Sequence, residues 1–301
     1  MSSLENVFYI QAGLGILANL FLLFFYTSKI LVDRPKPMDL ISSQLTFIHI
    51  MMILSEGDNL LANILESLKL GNDIKCKTTF YINRVMRGLS VCITCLLSVF
   101  QAVTISPSTS FLAQFKNKVK THIIYAFFYF WSFNLSFSSR LIFYVAGFTN
   151  VSGTHQMKVT KSCSLFPMNY IIRGLILTVA ISRDVFLVGL MLTTSTYMVI
   201  ILCRHQRQCK HLHSNSHIRA SPEERATQTI LLLVVFFVVM YWLDFIISFT
   251  STLSWMYVPV VLTVQKLVMY AYPTISPLVQ ITSDKRIISI LKNVHSKFHI
   301  F

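Results

Sequence analysis

"HIRASPEERATQTILLLVVFFVVMYW", residues 217–242, joins two kinds of sequence in one stretch. Ser221, Pro222 and Glu224 make a helix start built for water: a capping serine, proline at the first helical position, and a glutamate three residues on to close a capping box. From Ile230 no charge appears until Asp244. A helix that begins among charges and runs on through an unbroken apolar stretch is one that starts in water and enters lipid. There, every backbone polar group must be paired within the helix itself.

The rest of the chain repeats this pattern. Of 301 residues, 54% are hydrophobic and only 13% are charged, with a mean hydropathy of +0.61. Globular domains carry about 25% charged residues, so half of the usual water-facing shell is missing. A helix crossing a hydrocarbon layer about 30 Å thick needs about 20 residues. Seven runs meet that length, at 7–30, 40–65, 79–105, 122–148, 170–203, 226–253 and 257–281. The second is interrupted by Glu56 and Asp58, the fourth by Arg140. The joints are too short to be separate soluble domains. The chain therefore reads as one all-α membrane domain over 1–281, a seven-helix bundle, followed by a short tail over 282–301.

Charge sets the expected sidedness. Lys29, Arg34, Lys36, Lys116, Lys118, Lys120, Arg204, Arg207, Lys210, Arg219, Arg225, Lys285, Arg286, Lys292 and Lys297 fall on one side of the spans. Only Lys69, Lys75, Lys77, Lys158 and Lys161 fall on the other. The basic side belongs in the cytoplasm, which places the N-terminus outside and the C-terminus inside. The net charge of +14 then marks the side facing anionic lipid and does not point to nucleic acid. The first run has no basic leader and no small-residue cleavage site, so it reads as a retained span. In the tail, Ile287, Ile290, Leu291, Val294 and Phe298 recur at helical spacing between basic residues, as in an amphipathic helix on the inner leaflet.

This topology makes separate demands. Cys76 and Cys163 fall in oxidising outer loops and are expected to be bonded; Cys203 and Cys209 fall on the reducing side. Cys92 and Cys95 have a CxxC spacing inside a span, where helix packing is the simpler role. Asn150 heads an N-glycosylation acceptor in an outer loop, whereas the match at Asn134 lies within the fourth span. His205, His211, His213 and His217 follow no firm ligand pattern, so neither a metal nor a cofactor is expected.

Seven spans with this sidedness, and a cysteine opening the third that pairs with the second outer loop, resemble the rhodopsin-like receptors. Finer text resembles one branch, the vomeronasal type-1 receptors. It lies in "RPKPMDLISSQL", "CKTTFYINRVMRGLSVCITCLLSVFQAVTISP", "SRDVFLVGLML" running into "RHQRQCKHLHS", "RASPEERATQTILLLV" and "YPTISP". The likeness implies a plasma-membrane chemosensory receptor in vomeronasal neurons. It implies a small pheromone-like ligand and signalling through a heterotrimeric G protein of the inhibitory class. Arg204, Arg207, Lys210 and Arg219 are its expected contacts on the basic inner loop. The third span lacks the Asp-Arg-Tyr of rhodopsin-like receptors at large, and the seventh carries Pro273 and Pro277 in place of Asn-Pro-x-x-Tyr. The usual inner ionic latch therefore does not transfer. A seven-helix transporter or channel is the alternative class, against which stand the odd span count and the absence of a repeat. No constellation of enzyme residues is evident.

Charges inside spans are functional candidates by default. Arg84 and Arg87 share a face of the third helix, roughly 12 and 16 Å from Cys76 along its axis. By resemblance, small ligands bind at that depth. Asn83 occupies the position where amine receptors carry an aspartate, so a cationic amine lacks its counter-ion, while two arginines suit a sulfate or carboxylate. Pairing of these arginines with Glu56 or Asp58 is the structural alternative. Arg183 and Lys266 complete the candidate ligand contacts. Asp244 and Lys266 come to equal depth on adjacent helices and are expected to pair. Arg183 and Asp184, consecutive and thus about 100° apart, are not expected to satisfy each other.

Overall fold

The computed structural model describes residues 2–32, 36–55, 67, 71–107, 116–147, 157–158, 163–165, 170–212, 231–232, 234–243, 246, 259–284 and 286–289. They contain α1 (Ser2–Val32), α2 (Pro37–Leu54), α3 (Asn72–Ile105), α4 (Lys116–Ser139), α5 (Tyr170–Leu212), α6 (Val234–Leu243 as described) and α7 (Pro259–Ser283). The capping box at 221–224 lies outside the described residues.

Local chemistry accounts for several of the ends. Pro37 opens α2, where its missing N–H costs nothing. Ser106 turns to extended backbone at the end of α3, as the residue before Pro107 must. Hydropathy and helix length diverge in an orderly way. The helices α3, α4 and α5 extend beyond their apolar runs by polar turns, so Arg204, Arg207 and Lys210 lie on a continuation of α5 and not in a loop. The fourth run does the opposite at its far end. Its α-helix stops at Ser139, a 3-10 turn covers Arg140–Tyr144, and Val145–Gly147 becomes a strand. Arg140 is thus an exposed residue just past the end of the α-helix.

That strand, β1 (Val145–Gly147), joins β2 (Met157–Lys158) and β3 (Cys163–Leu165) in a small antiparallel sheet of order β1-β3-β2. β1 packs against α3, and Tyr81 Oη donates to Leu135 O near the end of α4, which marks the Asn72 end of α3 as the strand end of the bundle.

α3 touches α2, α4 and α5, and its apolar window is 78% buried, against 28% in α1 and in α5. It is the central helix. Tyr270, Leu45, Ile48, Leu89, Ile93 and Met191 fill the core around it. The polarity of the fold is inverted. Ile10, Leu17, Phe24, Phe128 and Phe186 face outward, while Asn19, Thr46, Thr94, Ser98, Asn134 and Ser276 are buried. In water this arrangement would place large apolar patches at the surface. In a bilayer it is the favourable one, because polar groups find partners only inside.

Proline makes one of those partners necessary. Pro277 has no N–H to give to the carbonyl of Pro273 one turn back. The Asn19 side chain of α1 fills the gap, donating from Nδ2 to the Pro273 oxygen at 2.8 Å and to Gly15 O at 2.8 Å. Close approach of α1 and α7 depends on Gly15, whose missing Cβ would sit 2.8 Å from Thr274 Oγ1.

Beyond α7, Arg286 closes the opposite end of the bundle. Its guanidinium reaches Asp39 Oδ1 of α2 from both Nη1 and Nη2 at 3.1 Å, and Asp284 Oδ2 from Nη2 at 2.8 Å. It also lies over the Phe25 ring. Hydrogen bonding of the guanidinium to Asp284, with Asp39 adding to it, raises the Arg286 pKa above its ordinary value. Ile287 is fully buried against Leu22, Phe25 and Tyr26 of α1. Ile287 is therefore seated on the bundle, while Ile290, Leu291, Val294 and Phe298 lie outside the described residues.

Candidate functional site

Among the described residues, charged side chains of α3 and α5 converge in the half of the bundle nearer the strand end. Arg84 and Arg87 follow one another on α3, half-buried. Arg84 lies within the electrostatic reach of Arg87, Arg183, Asp184 and Tyr241. Arg84, Arg87 and Arg183 thus stand close together, with Asp184 beside them. Glu56, Asp58 and Asp244 lie outside the described residues, so neither the alternative pairing of the α3 arginines nor the Asp244–Lys266 pair is visible. Lys266 itself is half-buried on α7.

The structure overturns one expectation here. Arg183 does bond to its neighbour: Nε donates to Asp184 Oδ1 at 2.7 Å and Nη2 lies 2.6 Å from the same oxygen. The 100° between consecutive Cβ atoms limits short side chains, but the long arginine stem curls around the helix to close the gap. Asp184 Oδ2 in turn accepts a hydrogen bond from Tyr241 Oη of α6. On its other side Arg183 donates from Nη1 to Asn134 Oδ1 of α4 at 3.1 Å, and its guanidinium lies over Phe137. Asn134 Nδ2 points to Cys92 Sγ of α3 at 3.6 Å. A continuous polar chain, Tyr241–Asp184–Arg183–Asn134–Cys92, therefore ties α6, α5, α4 and α3 together.

Gly88 makes room for it. A Cβ there would stand 2.1 Å from Asn134 Oδ1 and 3.3 Å from Arg183 Nη1. Asn134, which the sequence offered only as a sugar-acceptor match, is 1% exposed and serves this network. Cys92 and Cys95 are free and buried on α3.

Asn83 faces α7, donating from Nδ2 to Tyr270 Oη at 2.7 Å and lying 3.4 Å from Ser55 Oγ, just past α2. Arg87 Nη1 reaches Met269 Sδ at 3.9 Å. A cavity of about 40 Å³ opens beside Arg87 and Tyr241, lined also by Ser90, Phe237, Met269 and Tyr272. It has room for about three waters.

Asn83, Arg84, Arg87 and Arg183 are thus brought to one region. Tyr241 and Asn134 were missed because a tyrosine tip or an asparagine in an apolar run has no sequence mark of its own. Cys76 is buried at the start of α3 and disulfide-bonded. Of the basic inner residues, Arg204 is exposed on α5, the side chains of Arg207 and Lys210 are not described, and Arg219, like Asn150, lies outside the described residues.

Comparison with known proteins agrees with this architecture. Residues 2–293 match the model of the vomeronasal organ pheromone receptor family. Vomeronasal type-1 receptor 90 of Rattus norvegicus is 42% identical over 292 residues, covering 96% of this chain and 94% of its own. Vomeronasal type-1 receptor 45 of Mus musculus is 38% identical, covering 97% and 92%. Squid rhodopsin superposes with a TM-score of 0.71 at 15% identity, over 98% of this chain and 85% of its own, a likeness of fold. A receptor family and a rhodopsin-like bundle leave the enzyme and transporter readings without support: the chain belongs to the vomeronasal organ pheromone receptor family and is a seven-helix, multi-pass membrane G-protein-coupled receptor.

Proposed function

We propose that this receptor acts in the plasma membrane of vomeronasal sensory neurons and recognises a small molecule bearing an anionic group. Its amino end faces the exterior, and its basic turns, with Arg204, Arg207, Lys210 and Arg219, engage a heterotrimeric G protein of the inhibitory class. The ligand enters from the strand end between α3, α5, α6 and α7, with Asn83, Arg84, Arg87, Arg183 and Lys266 as its candidate contacts. Lys266 also pairs with Asp244. Cys76 pairs with Cys163: β1 packs on α3 and its Gly147 stands opposite Cys163 in the sheet, which favours that partner. Asn150 carries a sugar.

One observation supports the anionic choice above the rest. Arg84 lies within electrostatic reach of Arg87 and Arg183, so three guanidinium groups stand close together beside Asp184 and Tyr241. An anion there gains charge-assisted hydrogen bonds in a low dielectric, whereas a cationic guest meets like charges. Binding shifts the bundle only by its differential affinity for two arrangements, and Pro273 and Pro277 give α7 a place to bend.

The test is nucleotide exchange on purified inhibitory-class and stimulatory-class G proteins, driven by the reconstituted receptor with a steroid sulfate or its unesterified parent. The sulfate is expected to stimulate exchange on the inhibitory class at concentrations at least tenfold below the parent. Equal potency of the two compounds removes the anionic ligand, and exchange on the stimulatory class alone removes the partner.

A further inference from the structure

Tyr241 belongs to two sites at once. Its hydroxyl bonds to Asp184 across the α5–α6 boundary, and the same residue lines the cavity beside Arg87. Its ring is held independently of the hydroxyl, stacked on Phe237 with centroids 6.1 Å apart and planes at 20°. A phenol carries a single donatable hydrogen. Asp184 accepts it now, and Asp184 is otherwise served by Arg183 at 2.6–2.7 Å.

We infer that Tyr241 is a one-hydrogen switch between α5 and the ligand. An anion seated beside Arg87 takes the Tyr241 hydrogen bond from Asp184 and so unties α6 from α5. The inference rests on the anionic-ligand reading and extends it to how occupancy reaches the helices. The geometry favours the exchange for two reasons. An anion in the cavity meets Arg87 and Tyr241 together, so the phenol gains a charge-assisted partner as it gives one up. Asp184 retains Arg183 when the phenol leaves, so no buried carboxylate is stranded. The α6 end of the chain Tyr241–Asp184–Arg183–Asn134–Cys92 is therefore the link that can open without cost to the others. Binding energy thereby becomes a differential affinity for the separated arrangement.

The experiment uses full-length wild type, Tyr241→Phe, Asp184→Asn and the double variant, reconstituted in nanodiscs at matched receptor amount. Basal nucleotide exchange on an inhibitory-class G protein and the dissociation constants of a steroid sulfate and its unesterified parent are measured for each. Loss of the link is expected to raise basal exchange several-fold in both single variants, with no further rise in the double variant. Asp184→Asn is expected to tighten sulfate binding about tenfold where Tyr241 is present, and clearly less where Phe replaces it, with the parent unaffected. Basal exchange at the wild-type level in both single variants overturns the switch, as does an equal gain in sulfate affinity in the two backgrounds. A wild type that binds sulfate and parent alike removes the ligand reading, and the basal arm still reports separately on the α5–α6 link. Tyr241→Phe keeps the ring stack on Phe237, and Asp184→Asn weakens the same link from the other side by exchanging a charged acceptor for a neutral amide oxygen, should either variant fold poorly.

Discussion

Replacing Arg286 by methionine isolates what the clamp at the end opposite the strands contributes. The substitution keeps the apolar stem against Phe25 and removes the guanidinium from Asp39 and Asp284. Asp39 decides the size of the effect, because its side chain is only 6% exposed, whereas Arg286 itself is 38% exposed. Stripping the partner from a fully buried ion costs about 3–5 kcal/mol, and a fully exposed pair is worth about 0.2–1 kcal/mol. Asp39 keeps some compensation from its place in the first turn of α2, where the helix N-terminus favours a negative charge by about 0.5 kcal/mol. A loss of about 2 kcal/mol follows, equivalent to about 4 °C in thermal midpoint for a chain of this size. Thermal unfolding of the purified receptor measures it, with Arg204→Met, exposed on α5, as the control. Asp39→Asn alone should cost a similar amount, and the double variant should cost much less than the two together. Midpoints for Arg286→Met no lower than for Arg204→Met would refute the reasoning, as would strictly additive losses.

Glycine gives a second contrast. Gly88→Ala drives a methyl into Asn134 and is expected to lower stability by about 1–3 kcal/mol, whereas Gly174→Ala on α5, with nothing within 4 Å of its added Cβ, is expected to be neutral or stabilising by up to about 1 kcal/mol. Thermal midpoints of the two variants compare them on one scale. For the disulfide, Cys76→Ser, Cys163→Ser and the double variant are expected to lose surface expression to the same degree. A double variant worse than either single one would assign different partners.

The seven helices were legible because lipid imposes a simple rule, a long apolar run for each crossing, and the packed α1, α3 and α5 follow it. The rule reports on the bilayer and not on the backbone, so it missed the polar turns that lengthen α5 to Leu212 and the strand that replaces the last turns of the fourth run. Arg84, Arg87 and Arg183 stood out because each is a charge set against apolar sequence. Partners of charged residues were hidden for reasons of distance and reach. Arg286 and Asp39 are 247 residues apart, and their contact depends on how α1, α2 and α7 assemble. Arg183 and Asp184 were misjudged because Cβ directions were used where the length of the arginine stem governs. Asn134 and Tyr241 gave no signal, since a single polar tip in an apolar run becomes meaningful only when the helix facing it is known.

The binding preference of Arg84 decides whether this is a receptor for anions. Dissociation constants of a steroid sulfate and its unesterified parent are measured on the purified receptor in nanodiscs, for wild type and for Arg84→Gln. A charge-assisted contact contributes about 1.5–3 kcal/mol, so the sulfate preference of the wild type should fall by at least about tenfold in the variant. The parent should bind both forms equally. An unchanged preference for the sulfate in Arg84→Gln would contradict the assignment.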